Sequence, residues 1–205
     1  MTDEPKLRVR RTLTYRFCVG SCWWLGKTPL MPCKVTGAQH IPKSGPCVFV
    51  ANHQSFLDIP FFAAQIPRHV SFVARESLAK SKLLAYIMDQ AGCVLVKRGE
   101  SDLAAVREMV AHLKGGDAVC IFPEGTRSKD GSIGEFRRGA LLAARRGGAP
   151  VIPVGISGSF EAWPPGQKWP HSRRIRFAIG EPIDPRSENA LENVRARVVE
   201  LATSR

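Results

Sequence analysis

His53 and Asp58 are separated by four residues, and His53 lies two positions after an apolar segment at residues 46–51. That segment predicts a buried strand with His53 at its carboxyl end, and a short helix is predicted to begin near Ser55. A carboxylate in the first helical turn can hydrogen bond to the imidazole and fix its tautomer. The other ring nitrogen would then act as a general base on a substrate hydroxyl, and backbone N–H groups at the helix start could hold an oxyanion. The alternative is a purely structural role for His53.

The same spacing occurs a second time, at His112 and Asp117. His112 falls in the last turn of a predicted amphipathic helix, and two glycines interrupt the chain before the aspartate. Here we predict a surface histidine near a helix C-terminus, without a role in chemistry. The spacing alone therefore does not identify a site, whereas a position at the end of a strand does.

A second candidate is the turn FPEGTRS at residues 122–128, which follows the predicted strand 118–122. Glu124 and Arg127 on a glycine turn are improbable core residues. Arg127 could bind a phosphate through two hydrogen bonds, and Glu124 could orient a substrate hydroxyl or brace Arg127. An ion-paired surface turn is the alternative.

More cations follow other predicted elements. Lys97 and Arg98 end the apolar segment GCVLVKR, and Arg137 precedes a helix predicted to start at Gly139. A solvated basic pair is an equally good interpretation of positions 97 and 98. Together, however, these residues put a base and several phosphate-binding cations at one edge of one sheet, where parallel sheets bind ligands. That combination predicts a site for a hydroxyl acceptor that carries a phosphate.

The four motifs, in this order, resemble those of the lysophosphatidic acid and glycerol-phosphate acyltransferase family over roughly residues 45–160. NHQSFLD resembles the family's first motif, His-x4-Asp, and GCVLVKR resembles its second. FPEGTRS resembles the third motif, and VIPV, at residues 151–154, resembles the fourth. The resemblance implies transfer of a fatty acyl group from acyl-CoA or acyl-carrier protein to a lysophospholipid hydroxyl. The expected acceptor is 1-acyl-sn-glycerol-3-phosphate, which would give phosphatidic acid. An ornithine-lipid precursor or a monoacyl sugar lipid stays open as the acceptor.

The resemblance also implies residue roles. His53 would be the general base and Asp58 its partner, and no metal or organic cofactor is implied beside the acyl thioester. Lys97 stands where many members of the family have an acidic or amide residue. The implied substrate-binding residues are Lys97, Arg98, Glu124, Gly125, Thr126, Arg127 and Arg137.

The charge balance points to an anionic partner. Lysine and arginine total 30 against 18 acidic residues, for a net charge of +12. Such a field attracts nucleic acid, anionic lipid, an acidic carrier protein or a phosphorylated substrate. No nucleic-acid-binding signature is present in the sequence. The expected partners are therefore an anionic membrane surface, acyl-CoA or acyl-carrier protein and a lysophospholipid, without nucleic acid.

Residues 1–34 are basic and aromatic, and Leu13, Phe17, Gly20 and Trp24 follow helical spacing. Trp and Phe beside basic residues are typical of an amphipathic helix in the lipid headgroup layer. The alternative is a helix packed on the protein's own core. The uncharged stretch 17–26 is shorter than the roughly 20 residues that a spanning helix needs. We therefore predict a peripheral protein on the cytoplasmic face of the cell membrane.

Residues 35–205 alternate short apolar segments with helical patterns, which predicts an α/β domain. We expect a mixed, largely parallel central sheet flanked by helices, with residues 1–34 as a short amphipathic helical membrane-association element. The Pro-rich segment 163–171 is predicted to be a loop that forms a lid or a substrate rim. Cys47, Cys93 and Cys120 lie in apolar runs and are expected to be buried thiols in a reduced compartment.

Two other functions fit parts of the sequence. A hydrolase would pass the acyl group to water, but it would need its own nucleophile, and Ser157 and Ser159 do not form a G-x-S-x-G turn. A non-catalytic basic module that binds membrane or nucleic acid would explain the charge alone.

Overall fold

The computed structural model describes residues 13–75, 86, 93–96 and 102–204. Within these ranges, the chain forms a seven-stranded sheet with the order β1-β7-β6-β2-β5-β3-β4. The strands are β1 (Cys33–Thr36), β2 (Cys47–Ala51), β3 (Val70–Arg75), β4 (Val94–Val96), β5 (Ala118–Ile121), β6 (Val151–Ser157) and β7 (Ile175–Ile179).

Helices cover both faces of this sheet. They are α1 (Leu13–Leu25), α2 (Asp58–Gln65), α3 (Asp102–Lys114), α4 (Gly139–Gly147), the short α5 (Ser159–Ala162) and α6 (Ala190–Thr203), with one 3₁₀ turn at Ala38–His40. Among the helices described, none is both long enough and apolar enough to cross a bilayer.

Strand direction defines the edge that matters for function. β2 to β6 pair in parallel, whereas β7 runs antiparallel to β6 and β1 runs parallel to β7. In the β6–β7 pair, Ser157 at the end of β6 faces Arg176 near the start of β7. The carboxyl ends of β2, β5 and β6 therefore share one edge with the starts of β1 and β7. We call this edge the catalytic edge.

Strand β2 shows how the sequence produces this layered packing. All five of its residues are buried. Cys47, Phe49 and Ala51 join the core beneath α2, where the rings of Phe49 and Phe62 meet edge to face at 5.4 Å. Val48 and Val50 join the opposite core beneath α3, α4 and α6. Because both faces are covered, the strand is one continuous apolar run.

The predicted fold class is confirmed, and the strands predicted at residues 46–51 and 118–122 lie at Cys47–Ala51 and Ala118–Ile121. Lys97, at the end of the apolar segment GCVLVKR, lies outside the described residues. The helix predicted near Ser55 begins instead at Asp58. β1 crosses the predicted boundary between residues 34 and 35, so the last residues of the N-terminal element belong to the sheet.

The three cysteines predicted to be buried differ slightly in exposure. Cys47 and Cys120 are buried and Cys93 is half-buried, and all three are free thiols. Burial raises the pKa of the Cys47 thiol to about 11, and it does the same for Cys93. These thiols therefore stay protonated near neutral pH and act as small apolar side chains.

Candidate active site

His53 and Asp58 form the centre of the site at the catalytic edge. The Nδ1 atom of His53 lies 2.8 Å from Oδ2 of Asp58, whose side chain is fully buried. The same Oδ2 accepts hydrogen bonds from the backbone N–H groups of Gln54, at 2.7 Å, and Ser55, at 2.8 Å. These donors converge on one oxygen and hold the carboxylate in a single orientation.

This arrangement assigns the histidine tautomer. Since an ionised carboxylate can only accept a hydrogen bond, the ring proton sits on Nδ1, and Nε2 has a free lone pair. The ring lies flat on Phe122, with centroids 4.0 Å apart and planes 20° apart. The His53 side chain is 16% exposed, and its Nε2 has no hydrogen bond within the described part of the chain. His53 thus has the tautomer and the partial exposure that a general base would need.

Glu124 fixes the backbone of His53 from the neighbouring turn. Its Oε1 accepts a hydrogen bond from the His53 backbone N–H at 2.8 Å, and its Oε2 accepts one from the Gly134 N–H at 3.0 Å. The Ser128 N–H in turn donates to the His53 carbonyl at 2.8 Å. Burial raises the pKa of Glu124, and these backbone donors oppose the rise. Both oxygens of Glu124 are therefore used in positioning His53, and its contact with substrate stays a prediction.

The structure narrows the expectation that backbone N–H groups after His53 hold an oxyanion. The backbone N–H groups of Gln54 and Ser55, directly after His53, donate to Asp58. They serve the carboxylate because Asp58 begins α2 and turns its side chain back over the residues before it. These two groups are therefore not free to stabilise an oxyanion.

Arg127 lies beside the pair, on an aromatic support. Its guanidinium carbon is 3.4 Å from the centroid of the Phe56 ring, a close cation–π contact. Its Nη1 is buried and has no hydrogen-bond partner within the described residues. Burial lowers the pKa of Arg127, and the negative charge of Asp58 opposes that effect. An anionic group of a ligand would satisfy this donor.

The turn around Gly125 brings another cation close. Gly125 has a φ of +71°, which favours glycine, and a Cβ at this position would lie 3.4 Å from the Arg137 guanidinium carbon. Thr126 is exposed in the same turn. The structure thus brings His53, Asp58 and the residues of the Glu124–Arg127 turn together with Arg137. Lys97 and Arg98, also predicted to bind substrate, lie outside the described residues.

Sequence reasoning overlooked the support that Asn52 gives to the site. This side chain is fully buried, donates through Nδ2 to the Ile156 carbonyl at 2.9 Å and accepts from the Ile156 N–H at 2.7 Å. It therefore joins the end of β2 to β6 just before His53. A polar residue directly after a buried strand was the signal that could have identified it.

The second pair is not the surface histidine that we predicted. His112 is buried, and its Nδ1 lies 3.0 Å from Oδ2 of Asp117. It does lie in the last turn of α3, but that turn packs against the sheet through Leu113. Asp117 directly precedes β5, so this pair lies at the edge opposite the catalytic one. The same spacing forms the same hydrogen bond twice, and only one copy faces the site.

Comparison with known proteins shows similarity to acyltransferases. A family model described as Acyltransferase matches residues 32–157, which include both the His53–Asp58 pair and the Arg127 turn. The chain is 34% identical over 159 residues to the 1-acyl-sn-glycerol-3-phosphate acyltransferase BAT2, chloroplastic, of Brassica napus, covering 76% of this chain and 46% of the relative. It is 31% identical over 137 residues to a lyso-ornithine lipid O-acyltransferase of Pseudomonas aeruginosa, covering 66% of this chain and 52% of that relative.

A solved structure extends the similarity to the fold. The crystal structure of the 1-acyl-sn-glycerophosphate (LPA) acyltransferase PlsC from Thermotoga maritima superimposes with a TM-score of 0.74 at 30% identity. The match covers 96% of this chain and 81% of that one. The chain spans about half the length of the curated relatives that it matches.

Proposed function

Because this chain belongs to the acyltransferase family, we propose that it transfers a fatty acyl group from an acyl thioester to the free hydroxyl of a lysophospholipid. The observation that carries the proposal is the His53–Asp58 pair with Arg127 beside it at one sheet edge. The donor is acyl-CoA or acyl-carrier protein, and the proposal requires no metal or organic cofactor.

The geometry supports a direct transfer. Asp58 holds Nδ1–H of His53, and Nε2 removes the proton of the acceptor hydroxyl. The oxygen attacks the thioester carbonyl, and the tetrahedral intermediate collapses as the carbon–sulfur bond breaks. The imidazolium then gives its proton to the departing thiolate. The acceptor hydroxyl thus takes the place that a serine has in a catalytic triad.

The acceptor that we propose is 1-acyl-sn-glycerol-3-phosphate, with phosphatidic acid as the product. Its phosphate would meet Nη1 of Arg127, which has no hydrogen-bond partner in the described part of the chain, and would lie close to Arg137. Lys97 and Arg98, which lie outside the described residues, stay predicted members of this phosphate site. The similarity to a lyso-ornithine lipid O-acyltransferase makes lyso-ornithine lipid the second candidate acceptor.

Mass spectrometry of reaction products tests this function. Purified enzyme is incubated with acyl-CoA or acyl-carrier protein and, in turn, with lysophosphatidate, lyso-ornithine lipid and an uncharged monoacyl sugar lipid. We expect a diacyl product from an anionic or zwitterionic acceptor and none from the sugar lipid. Rapid thiol release without any acceptor would instead indicate a hydrolase, and no turnover of either kind would favour a non-catalytic module.

We also propose that α1 binds the membrane surface and keeps the enzyme peripheral on the cytoplasmic face. Phe17 is 76% exposed and Trp24 66% exposed, and Leu13 lies exposed on the same helix. Val19 and Leu25, in contrast, pack against the protein core. The helix thus packs one side on the protein and leaves another side available to lipid. The two alternatives from the sequence, a helix in the headgroup layer and a helix packed on the core, are therefore compatible.

Replacing both Phe17 and Trp24 by serine should weaken binding to phospholipid vesicles by at least about tenfold, since each large apolar side chain stabilises its buried state by about 1.5–3 kcal/mol. Vesicle co-sedimentation measures the effect. Leu103→Ser is a matched control, because Leu103 is an exposed leucine on α3, on the opposite face of the sheet. Equal binding of the double variant and the control would contradict a membrane role for α1.

A further inference from the structure

Hydrogen bonds and prolines constrain the conformation of the Pro-rich loop, residues 163–171. The His171 N–H donates to the Ala162 carbonyl at 2.7 Å, which closes the base of the loop. Within it, Nε1 of Trp163 donates to the Gln167 carbonyl at 2.9 Å. Prolines at 164, 165 and 170 restrict the backbone further. The loop therefore presents its outer residues in a defined arrangement.

The residue that this loop presents is a tryptophan. Trp169 is 71% exposed, whereas Trp163 in the same loop is partly buried against the core. A tryptophan has a large apolar ring that gains free energy on leaving water, so an exposed one on a constrained loop is suited to an apolar or interfacial partner. Leu30 is also exposed, on the segment beside the loop.

The neighbouring segments are hydrogen bonded side by side. The Ser172 hydroxyl donates to the Pro29 carbonyl at 3.3 Å, and the Ile175 N–H donates to the Pro32 carbonyl at 2.9 Å. Neither residues 162–177 nor residues 26–36 contain an acidic side chain. The exposed basic or titratable residues there are Lys27, Lys34, Lys168, His171, Arg173 and Arg174. The surface is thus cationic with apolar projections, a combination that fits an anionic lipid headgroup layer.

This surface lies at the catalytic edge. The Ser55 hydroxyl, two residues after His53, donates to the Trp163 carbonyl at 2.8 Å. The Phe56 ring, which supports Arg127, lies 5.6 Å from the Trp163 ring. A bilayer that contacts the Pro-rich loop would therefore face the proposed site rather than the opposite end of the sheet.

We propose that the Pro-rich loop, through Trp169, Lys168 and Arg173, is a second membrane-binding surface that docks the catalytic edge onto an anionic phospholipid bilayer. It acts together with α1. The two contacts orient the enzyme so that a lysophospholipid can reach His53 and Arg127 without leaving the lipid surface. The orienting role rests on the proposed function, whereas membrane binding by the loop does not.

Vesicle binding of the full chain tests the proposal, with phosphatidylcholine vesicles that either contain or lack phosphatidylglycerol. Trp169→Ser should weaken binding to both kinds of vesicle by about tenfold. Lys168→Ser with Arg173→Ser should weaken binding to the anionic vesicles only, by about fivefold for each charge removed. The matched double control is Arg107→Ser with Arg146→Ser, which removes two exposed arginines from α3 and α4 on the other face. All four positions are exposed, so unchanged melting temperatures are expected.

The outcomes separate this proposal from the proposed function and from the proposed role of α1. If Phe17→Ser with Trp24→Ser releases the enzyme but the loop variants bind like wild type, the loop proposal is overturned and the role of α1 stands. The proposal would also be overturned if the arginine control lost as much binding to anionic vesicles as Lys168→Ser with Arg173→Ser, since net charge alone would then explain binding. In activity assays, Trp169→Ser should slow transfer to vesicle-borne lysophosphatidate and leave kcat/KM unchanged for a short-chain, water-soluble one. Absence of acyl transfer in wild type would refute the proposed function without altering the binding result.

Discussion

His53→Ala is expected to lower kcat for acyl transfer by at least about 10³-fold, the scale of lost general acid–base catalysis. The variant removes the group that we propose takes the hydroxyl proton and returns it to the thiolate. It should stay folded, because Asp58 keeps the backbone N–H donors of Gln54 and Ser55. Initial rates of diacyl product formation measure the loss, and vesicle binding should be unchanged.

His112→Ala is the matched control for that variant. It breaks the same type of hydrogen bond, between buried His112 and Asp117, at the opposite edge of the sheet. We expect activity per folded enzyme to stay within about twofold, while the free energy of unfolding falls by about 1–3 kcal/mol from the lost packing and hydrogen bond. If His53→Ala retained near-normal turnover, or if His112→Ala removed activity without unfolding, the assignment of the base would be wrong.

Asp58→Asn should reduce kcat by about 10³-fold or more and change the acceptor KM much less. His53 Nδ1 and the backbone N–H groups of Gln54 and Ser55 all meet the same oxygen, Oδ2 of Asp58. An asparagine oxygen in that position still accepts from all three, so His53 keeps its proton on Nδ1. The variant loses the negative charge that stabilises the imidazolium formed when Nε2 takes the hydroxyl proton.

Nitrogen NMR of labelled histidine distinguishes this cause from simple misfolding. In the wild type and in Asp58→Asn alike, the proton of neutral His53 should reside on Nδ1, which shows that the site is intact. The His112 signal serves as an internal reference, since its own aspartate is unchanged. A proton on Nε2 in the variant, or a rate within about tenfold of wild type, would show that the charge of Asp58 is not what supports the base.

The sequence by itself determined the elements and most of the chemistry. Strands such as β2 are buried on both faces, so they are continuous apolar runs that can be read without a structure. The polar residues that follow such runs, His53 after β2 and the Arg127 turn after β5, fall at carboxyl ends by chain order alone. Parallel pairing then puts those ends at one edge, which made a shared site predictable.

Only the tertiary structure decided which side chains meet. Two His–Asp pairs with the same spacing both form hydrogen bonds, and strand direction alone separates the buried His112 from the accessible His53. Glu124 holds the His53 N–H, and Asn52 joins β2 to β6, across 71 and 104 residues of chain respectively. Strand order and loop packing bring such distant residues together, and neither can be derived from the local periodicity of the sequence. The same holds for Trp169: the sequence shows a tryptophan in a Pro-rich loop, but only the folded chain shows that the core leaves it exposed at the catalytic edge.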